Sequence, residues 1–221
     1  MTKKRYQGPS NDKERSMQKL IDAVGIIVKT KGYTGLTATN IAKAAGLSRR
    51  LITIYFESVD NLIETYIRGK DYWVAASGNA GELMEKNKGA DTREILEALL
   101  INQLEYFSKE EEMQKIVLWQ ISQRSNIMFE VAEEREKLGA IFFEMADPFF
   151  QKTDVDLRAV AGLLVAGIYY MVLHAKSNDS LFCQIDVNTS EGLARIKKTI
   201  GVILADTYKR AEIANKNSLE S

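Results

Sequence analysis

The chain has 221 residues, 45% of them apolar and 27% charged, and its 30 Lys/Arg balance 30 Asp/Glu. This is the composition of an ordinary soluble globular protein, long enough for one large domain or a small one joined to a larger one. The single cysteine, Cys183, excludes an intrachain disulfide and suits the cytosol.

Net neutrality hides an asymmetry. Residues 1–70 carry 13 Lys/Arg against 6 Asp/Glu, leaving 17 against 24 for residues 71–221. Binding phosphate needs a locally basic surface rather than a basic protein, so the chain reads as a basic N-terminal module on an acidic body. With prolines only at Pro9 and Pro148, and apolar residues spaced three and four apart nearly throughout, an all-α protein is predicted.

Residues 1–10, with Lys3, Lys4 and Arg5, form a flexible basic arm without the apolar run of a signal peptide. Asn11 and Glu14 fit a capping box for a first helix, whose stripe of Met17, Leu20, Ile21, Val24, Ile27 and Val28 ends at Gly32. Thr37 caps a second helix with an apolar side at Ile41, Ala42 and Ala45. Gly46 supplies the left-handed freedom of a tight turn. Ser48 is placed to cap a third helix through its hydroxyl. Ile52 and Phe56, four apart, can anchor that helix from behind, while Arg49, Arg50 and Thr53 share another face. A helix held at its back with two guanidiniums in front is a helix-turn-helix reader of duplex DNA. Ser58 and Asp60 begin a fourth helix.

Beyond residue 70 the spacing predicts helices over about 91–108, 111–125, 128–147, 154–176 and 189–211. Breaks fall near 78–81, 89–91, 109–111, 147–148 and 177–187. The run from Lys109 to Glu112 reads as a solvated helix face, and Cys183 as a partly buried thiol. The longest uninterrupted apolar run, 159–173, has 15 residues, short of the roughly 20 that span a bilayer. No membrane partner is expected.

Residues 11–70 resemble the DNA-binding domain of the TetR family of bacterial transcriptional regulators. The resemblance rests on Gly32-Tyr33, the helix from Thr37 to Ala45 with Ile41-Ala42, then Ala45-Gly46-Leu47-Ser48, and finally Tyr55-Phe56, Ser58 and Leu62. Three positions depart from the family pattern. Arg50 stands where glycine or proline is frequent, Thr53 where tyrosine is, and Val59 where a lysine is common. The resemblance implies a three-helix DNA-binding domain over 11–70 and a larger helical effector-binding and dimerisation domain over 71–221, about nine helices in all.

Arg49 and Arg50 are the candidates for base edges, because bidentate arginine to guanine is the commonest specific contact. Thr53 suits a thymine methyl or a phosphate, and Leu51 a thymine methyl or the core. The hydroxyls of Thr37, Thr39, Ser48 and Tyr55 suit phosphate oxygens. A two-fold dimer is expected. Its interface candidates are Gly162 and Ala166, in a segment apolar nearly all round, and Leu193, Ile196, Ile200 and Ile203 on the last helix. The resemblance also implies a ligand pocket in the body. Trp119, Gln123, Met128, Phe142, Tyr170 and His174 are its candidates, suited to a small apolar or aromatic effector.

The expected function is a sequence-specific DNA-binding regulator in the bacterial cytoplasm, a repressor released from a pseudo-palindromic operator by its effector. The alternative is a DNA-binding dimer without an effector. The sequence has no metal-ligand spacing, no phosphate-binding glycine loop and no nucleophile–base motif, so no cofactor, metal or enzymatic activity is expected.

Overall fold

The computed structural model describes residues 9–77 and 91–220. Among the described residues there are ten α-helices, and the only β-pairing is an isolated bridge between Phe182 and Ile185. The helices are α1 (Pro9–Lys31), α2 (Ala38–Ala45), α3 (Arg50–Phe56), α4 (Val59–Lys70), α5 (Tyr72–Ser77), α6 (Thr92–Lys109), α7 (Glu111–Ser122), α8 (Asn126–Phe150), α9 (Leu157–Asn178) and α10 (Ser190–Glu220). The all-α expectation is met. Residues 1–8 of the basic arm and the break at 78–81 lie outside the described residues, whereas Pro9 and Ser10, predicted as the end of that arm, belong to α1.

The chain divides into two compact units. One comprises the residues up to Asp71 together with Glu111–Val131, and the other Tyr72–Glu110 with Ala132–Ser221. Segment 111–131, which spacing alone assigns to the body, therefore packs with the basic N-terminal helices.

In the first unit α1 starts at Pro9, two residues ahead of the predicted cap at Asn11. Proline suits a first helical position, where its missing N–H has no intrahelical partner to lose. Leu20, Ala23, Val24, Ile27 and Val28 are buried, a stripe at helical spacing along which α1 packs on α2, α4 and α7. Gly25 permits this approach, since a Cβ there would lie 2.9 Å from Tyr66 Oη.

Helix α7 is held by the buried Met113, Ile116 and Val117 and by Glu112. The Glu112 carboxylate accepts a hydrogen bond from Tyr66 Oη at 2.6 Å and pairs with Lys29 Nζ at 2.6 Å and Lys70 Nζ at 3.0 Å. Burial pushes this carboxyl up, but the donors from Lys29, Tyr66 and Lys70 outweigh it and hold it at about 2. The run from Lys109 to Glu112 is thus not wholly a solvated face: Glu112 joins α7 to α1 and α4.

In the second unit α6 packs on α9 and α10 around Leu100, Leu104, Phe107, Ile168, Val172 and Leu204. Arg158 forks onto both oxygens of Asp147, at 2.6 and 2.9 Å, and Lys197 pairs with Glu105. Helix α8 runs through Pro148 to Phe150 instead of breaking at 147–148. Pro148 has no N–H for the Glu144 carbonyl, so the helix continues past it with one ladder bond fewer.

Two further expectations need correction. Helix α9 has 22 residues and is long and apolar enough to cross a membrane by length and composition. The 15-residue run understates it, because the helix also includes Leu157 and extends through His174 to Asn178. Cys183 is exposed, on a turn where its φ is 50°.

Candidate nucleic-acid interface

The turn between α2 and α3 is built from local chemistry. Thr37 Oγ1 accepts from Asn40 N–H at 3.2 Å and caps α2, while its own O–H remains a donor that a phosphate oxygen can take. Gly46 ends α2 with φ 64° and ψ 33°, left-handed geometry that costs a residue without Cβ little. Leu47 N–H then returns to Ala42 O at 3.0 Å. Ser48 accepts twice, its Oγ from Arg50 N–H at 3.3 Å and its carbonyl from Leu51 N–H at 3.0 Å. The helix starts at Arg50 with Arg49 in the cap position, so the Ser48 hydroxyl acts one residue ahead of the cap.

Helix α3 shows the two faces that the spacing predicts. Ile52 and Phe56 are buried, whereas Arg49, Arg50 and Thr53 are exposed. Among the described residues, neither arginine has a carboxylate within ion-pair distance. Arg49 Nη1 instead donates to Thr39 Oγ1 at 3.4 Å. Leu51 and Tyr55 are half-buried, and Lys13 Nζ lies 6.0 Å from the centre of the Tyr55 ring. Thr37, Thr39, Ser48, Arg49, Arg50 and Thr53 all reach solvent within the one unit.

One residue of this face escapes a search for charge and hydroxyls. Ile54 is 57% exposed, four residues after Arg50 and adjacent to Thr53. Its signal is negative: a β-branched apolar residue outside the Ile52/Phe56 stripe has no core to fill. Helix α3 closes at Glu57, whose φ of 67° is unusual for a residue with a Cβ. Ser58 Oγ then accepts from Asn61 N–H at 3.0 Å and begins α4, with Asp60 in its first turn.

The six effector candidates divide between the two units. Trp119, Gln123 and Met128 belong to the first unit, and Phe142, Tyr170 and His174 to the second. Trp119 lies parallel to Tyr33, ring centroids 5.5 Å apart, beside a hollow of about 290 Å³ that Asp60, Ile63 and Asn126 also line. Gln123 is exposed, and Met128 and Phe142 are buried. Tyr170 stacks on His174 at 5.9 Å, and Ser180 Oγ is 3.0 Å from His174 Nε2.

A different side chain stands out in the second unit. Gln103 is buried with no hydrogen-bond partner for either amide atom among the described residues. Near it in sequence, Tyr106 packs against Tyr72, whose hydroxyl burial pushes up to about 12.

The dimer candidates divide as well. Gly162, Ala166 and Ile203 are exposed, and Leu193 and Ile196 half-buried. Ile200 is only 2% exposed and belongs to its own unit's core, which removes it from any interface. Leu163, 76% exposed, and Tyr170 extend the exposed stripe of α9, and Val202 that of α10.

No protein-family model and no curated protein matches this sequence. Solved structures do match. The fatty acid degradation regulator FadR of Bacillus halodurans superposes with a TM-score of 0.61 at 18% identity, covering 89% of this chain and 96% of that one. FadR of Bacillus subtilis, in complex with stearoyl-CoA, gives 0.62 at 16% identity over 85% and 96%. A TetR family transcription regulator from Marinobacter aquaeolei gives 0.62 at 16% identity over 87% and 96%. The fold of this chain is that of TetR-family regulators.

Proposed function

We propose that this protein is a sequence-specific DNA-binding transcriptional regulator that acts as a homodimer and is released from its operator by a small apolar or aromatic effector. The observation that carries this is the outward face of α3. Two exposed guanidiniums, without carboxylate partners among the described residues, stand on a short helix whose back is locked by Ile52 and Phe56. Such a helix fits a major groove, with arginines to guanine edges and the hydroxyls of Thr37 and Thr39 to phosphates.

The fold neighbours support regulation. They include NalD, the secondary repressor of the MexAB-OprM multidrug efflux pump in Pseudomonas aeruginosa (TM-score 0.61, 17% identity), besides the stearoyl-CoA complex of FadR. Exposed Leu163 and Tyr170 on α9 and Val202 and Ile203 on α10 supply an apolar surface for a second copy. In a two-fold dimer the recognition helices would enter successive major grooves about 34–36 Å apart. An effector releases DNA only through a difference in its affinity for the two states of the protein.

The test is to select bound duplexes from a random pool and titrate the winner with salt. A pseudo-palindromic consensus, with affinity falling steeply as salt rises, supports the reading. No enrichment, or affinity indifferent to salt, overturns it. A compound screen for release from that duplex then tests the effector, and a screen that frees none favours a DNA-binding dimer without one.

A further inference from the structure

Gln103 is 1% exposed on the inner side of α6, and among the described residues neither its Oε1 nor its Nε2 has a hydrogen-bond partner. Native folds seldom leave a buried amide so, because both atoms have given up water for nothing.

Its surroundings suggest what it awaits. At about 100° per residue, Gln103 lies on α6 between Leu99 and Tyr106 on one flank and Phe107 on the other. On the first flank Tyr72 Oη donates to Leu99 O at 3.2 Å, and the Tyr72 and Tyr106 rings are 5.7 Å apart. On the second, Phe107 meets Tyr169 edge-on at 4.8 Å. Trp73 joins the two: its ring stands 5.1 Å from Tyr72 at 78°, and its Nε1 donates to Tyr169 Oη at 3.2 Å. The residues flanking Gln103 on α6 thus belong to aromatic clusters, in which Tyr72 Oη and Trp73 Nε1 already have acceptors.

We propose that Gln103 is the polar anchor of a ligand site in the second unit, and that the ligand is a flat apolar molecule carrying a cis-lactam edge. Nε2–H donates to the ligand carbonyl, and the ligand N–H donates to Oε1. The flat body lies against the aromatic rings, which accept it by offset or edge-on contact. A plain acyl chain would satisfy neither atom, and a carboxylate would satisfy Nε2 while facing Oε1 with a second acceptor. The inference rests on the effector reading above and names the chemistry of the effector.

2-Quinolone presents the lactam edge on a flat body, and N-methyl-2-quinolone keeps the body without the donor. In calorimetry on the full-length protein, 2-quinolone should bind, and the N-methyl compound should bind at least about tenfold more weakly. Gln103→Leu should weaken 2-quinolone by a similar factor. So should Gln103→Met, which keeps the length of the side chain but offers neither a donor nor a carbonyl acceptor. Without compound, Gln103→Leu should melt no lower than the wild type, because replacing an orphaned amide by an apolar side chain of like size is neutral or stabilising. Equal affinity for the two quinolones, equal affinity of wild type and both variants, or no binding by the wild type would overturn the proposal. A buried water serving both amide atoms predicts that last outcome. Operator release is scored separately: binding without release removes the effector reading and leaves the site standing. Release by compounds indifferent to both Gln103 substitutions does the reverse.

Discussion

Arg49 Nη1 donates to Thr39 Oγ1 across 3.4 Å, tying the start of α3 back to the first turn of α2. The two arginines at the start of α3 are therefore not equivalent. Arg49 is held by its own protein, whereas Arg50 projects without such a tether. Arg50→Ala should cost about 1–3 kcal/mol on the selected duplex and relax one base position, as anisotropy with single-base variants would show. Uniform weakening on all sequences would reassign Arg50 to phosphate. Thr39→Val should have a smaller effect, since it removes one phosphate contact and the tether on Arg49 together.

Ile54 offers a second specificity test. Exposed beside Thr53 and one turn after Arg50, it is suited to a thymine methyl, which apolar side chains recognise in the major groove. Ile54→Ala should leave thermal stability within about 0.5 kcal/mol, as surface substitutions do. It should also lessen discrimination between thymine and uracil at one operator position. Undiminished discrimination there would remove Ile54 from the base-reading set.

Glu112 makes the first unit sensitive to acid. Its carboxyl sits at about 2 when folded, against 4.5 ordinarily, so the unfolded chain takes up the proton first. The stabilisation is fully present above about pH 4.5 and is lost as the pH falls through about 2; with its lysine partners open to solvent it amounts to about 1–2 kcal/mol at neutral pH. Glu112→Gln should lower stability by that order at pH 7 in urea titrations. The gap between variant and wild type should close as the pH approaches 2. A constant gap across that range would mean that the effect comes from packing.

Leu163 tests self-association. At 76% exposure on α9 it stabilises little within one chain, so Leu163→Glu should leave the melting temperature of the isolated chain nearly unchanged. Light scattering should report a monomer where the wild type is a dimer. Affinity for a palindromic duplex should fall by orders of magnitude as the second half-site is lost. Because α9 is also long and apolar enough to cross a bilayer, wild-type protein should be checked against lipid vesicles. Cosedimentation with them, together with a monomeric wild type in their absence, would shift the assignment from a partner copy to lipid.

What was legible in the sequence is what short-range chemistry decides. Thr37, Gly46, Ser48 and Ser58 each act on backbone groups within a few residues, and each but Ser48, which stands one residue ahead of the cap, does in the structure what its type and place predict. The Ile52/Phe56 spacing likewise sets which side of α3 turns inward. Less legible was anything that depends on which distant helix arrives opposite. Among Glu110, Glu111 and Glu112, spacing cannot say which faces Lys29 and Lys70. Trp119 and Phe142 look alike as aromatic residues in helical segments, yet they lie in different units because the chain returns to its N-terminal helices at 111–131. Gln103 carries no signal at all, since a glutamine amid apolar residues reads as surface until its burial is known.

That return has a consequence for biosynthesis. The unit presenting α3 is completed by Met113, Ile116, Val117 and the Glu112 carboxylate, all contributed about forty residues after the unit first breaks off at Asp71. A ribosome must therefore extrude the chain as far as Val131 before the unit presenting α3 can close. A fragment cut at Asp71 would lack the Glu112 carboxylate that Lys29, Tyr66 and Lys70 share, and an isolated first unit should be made as residues 1–71 joined through a linker to 111–131.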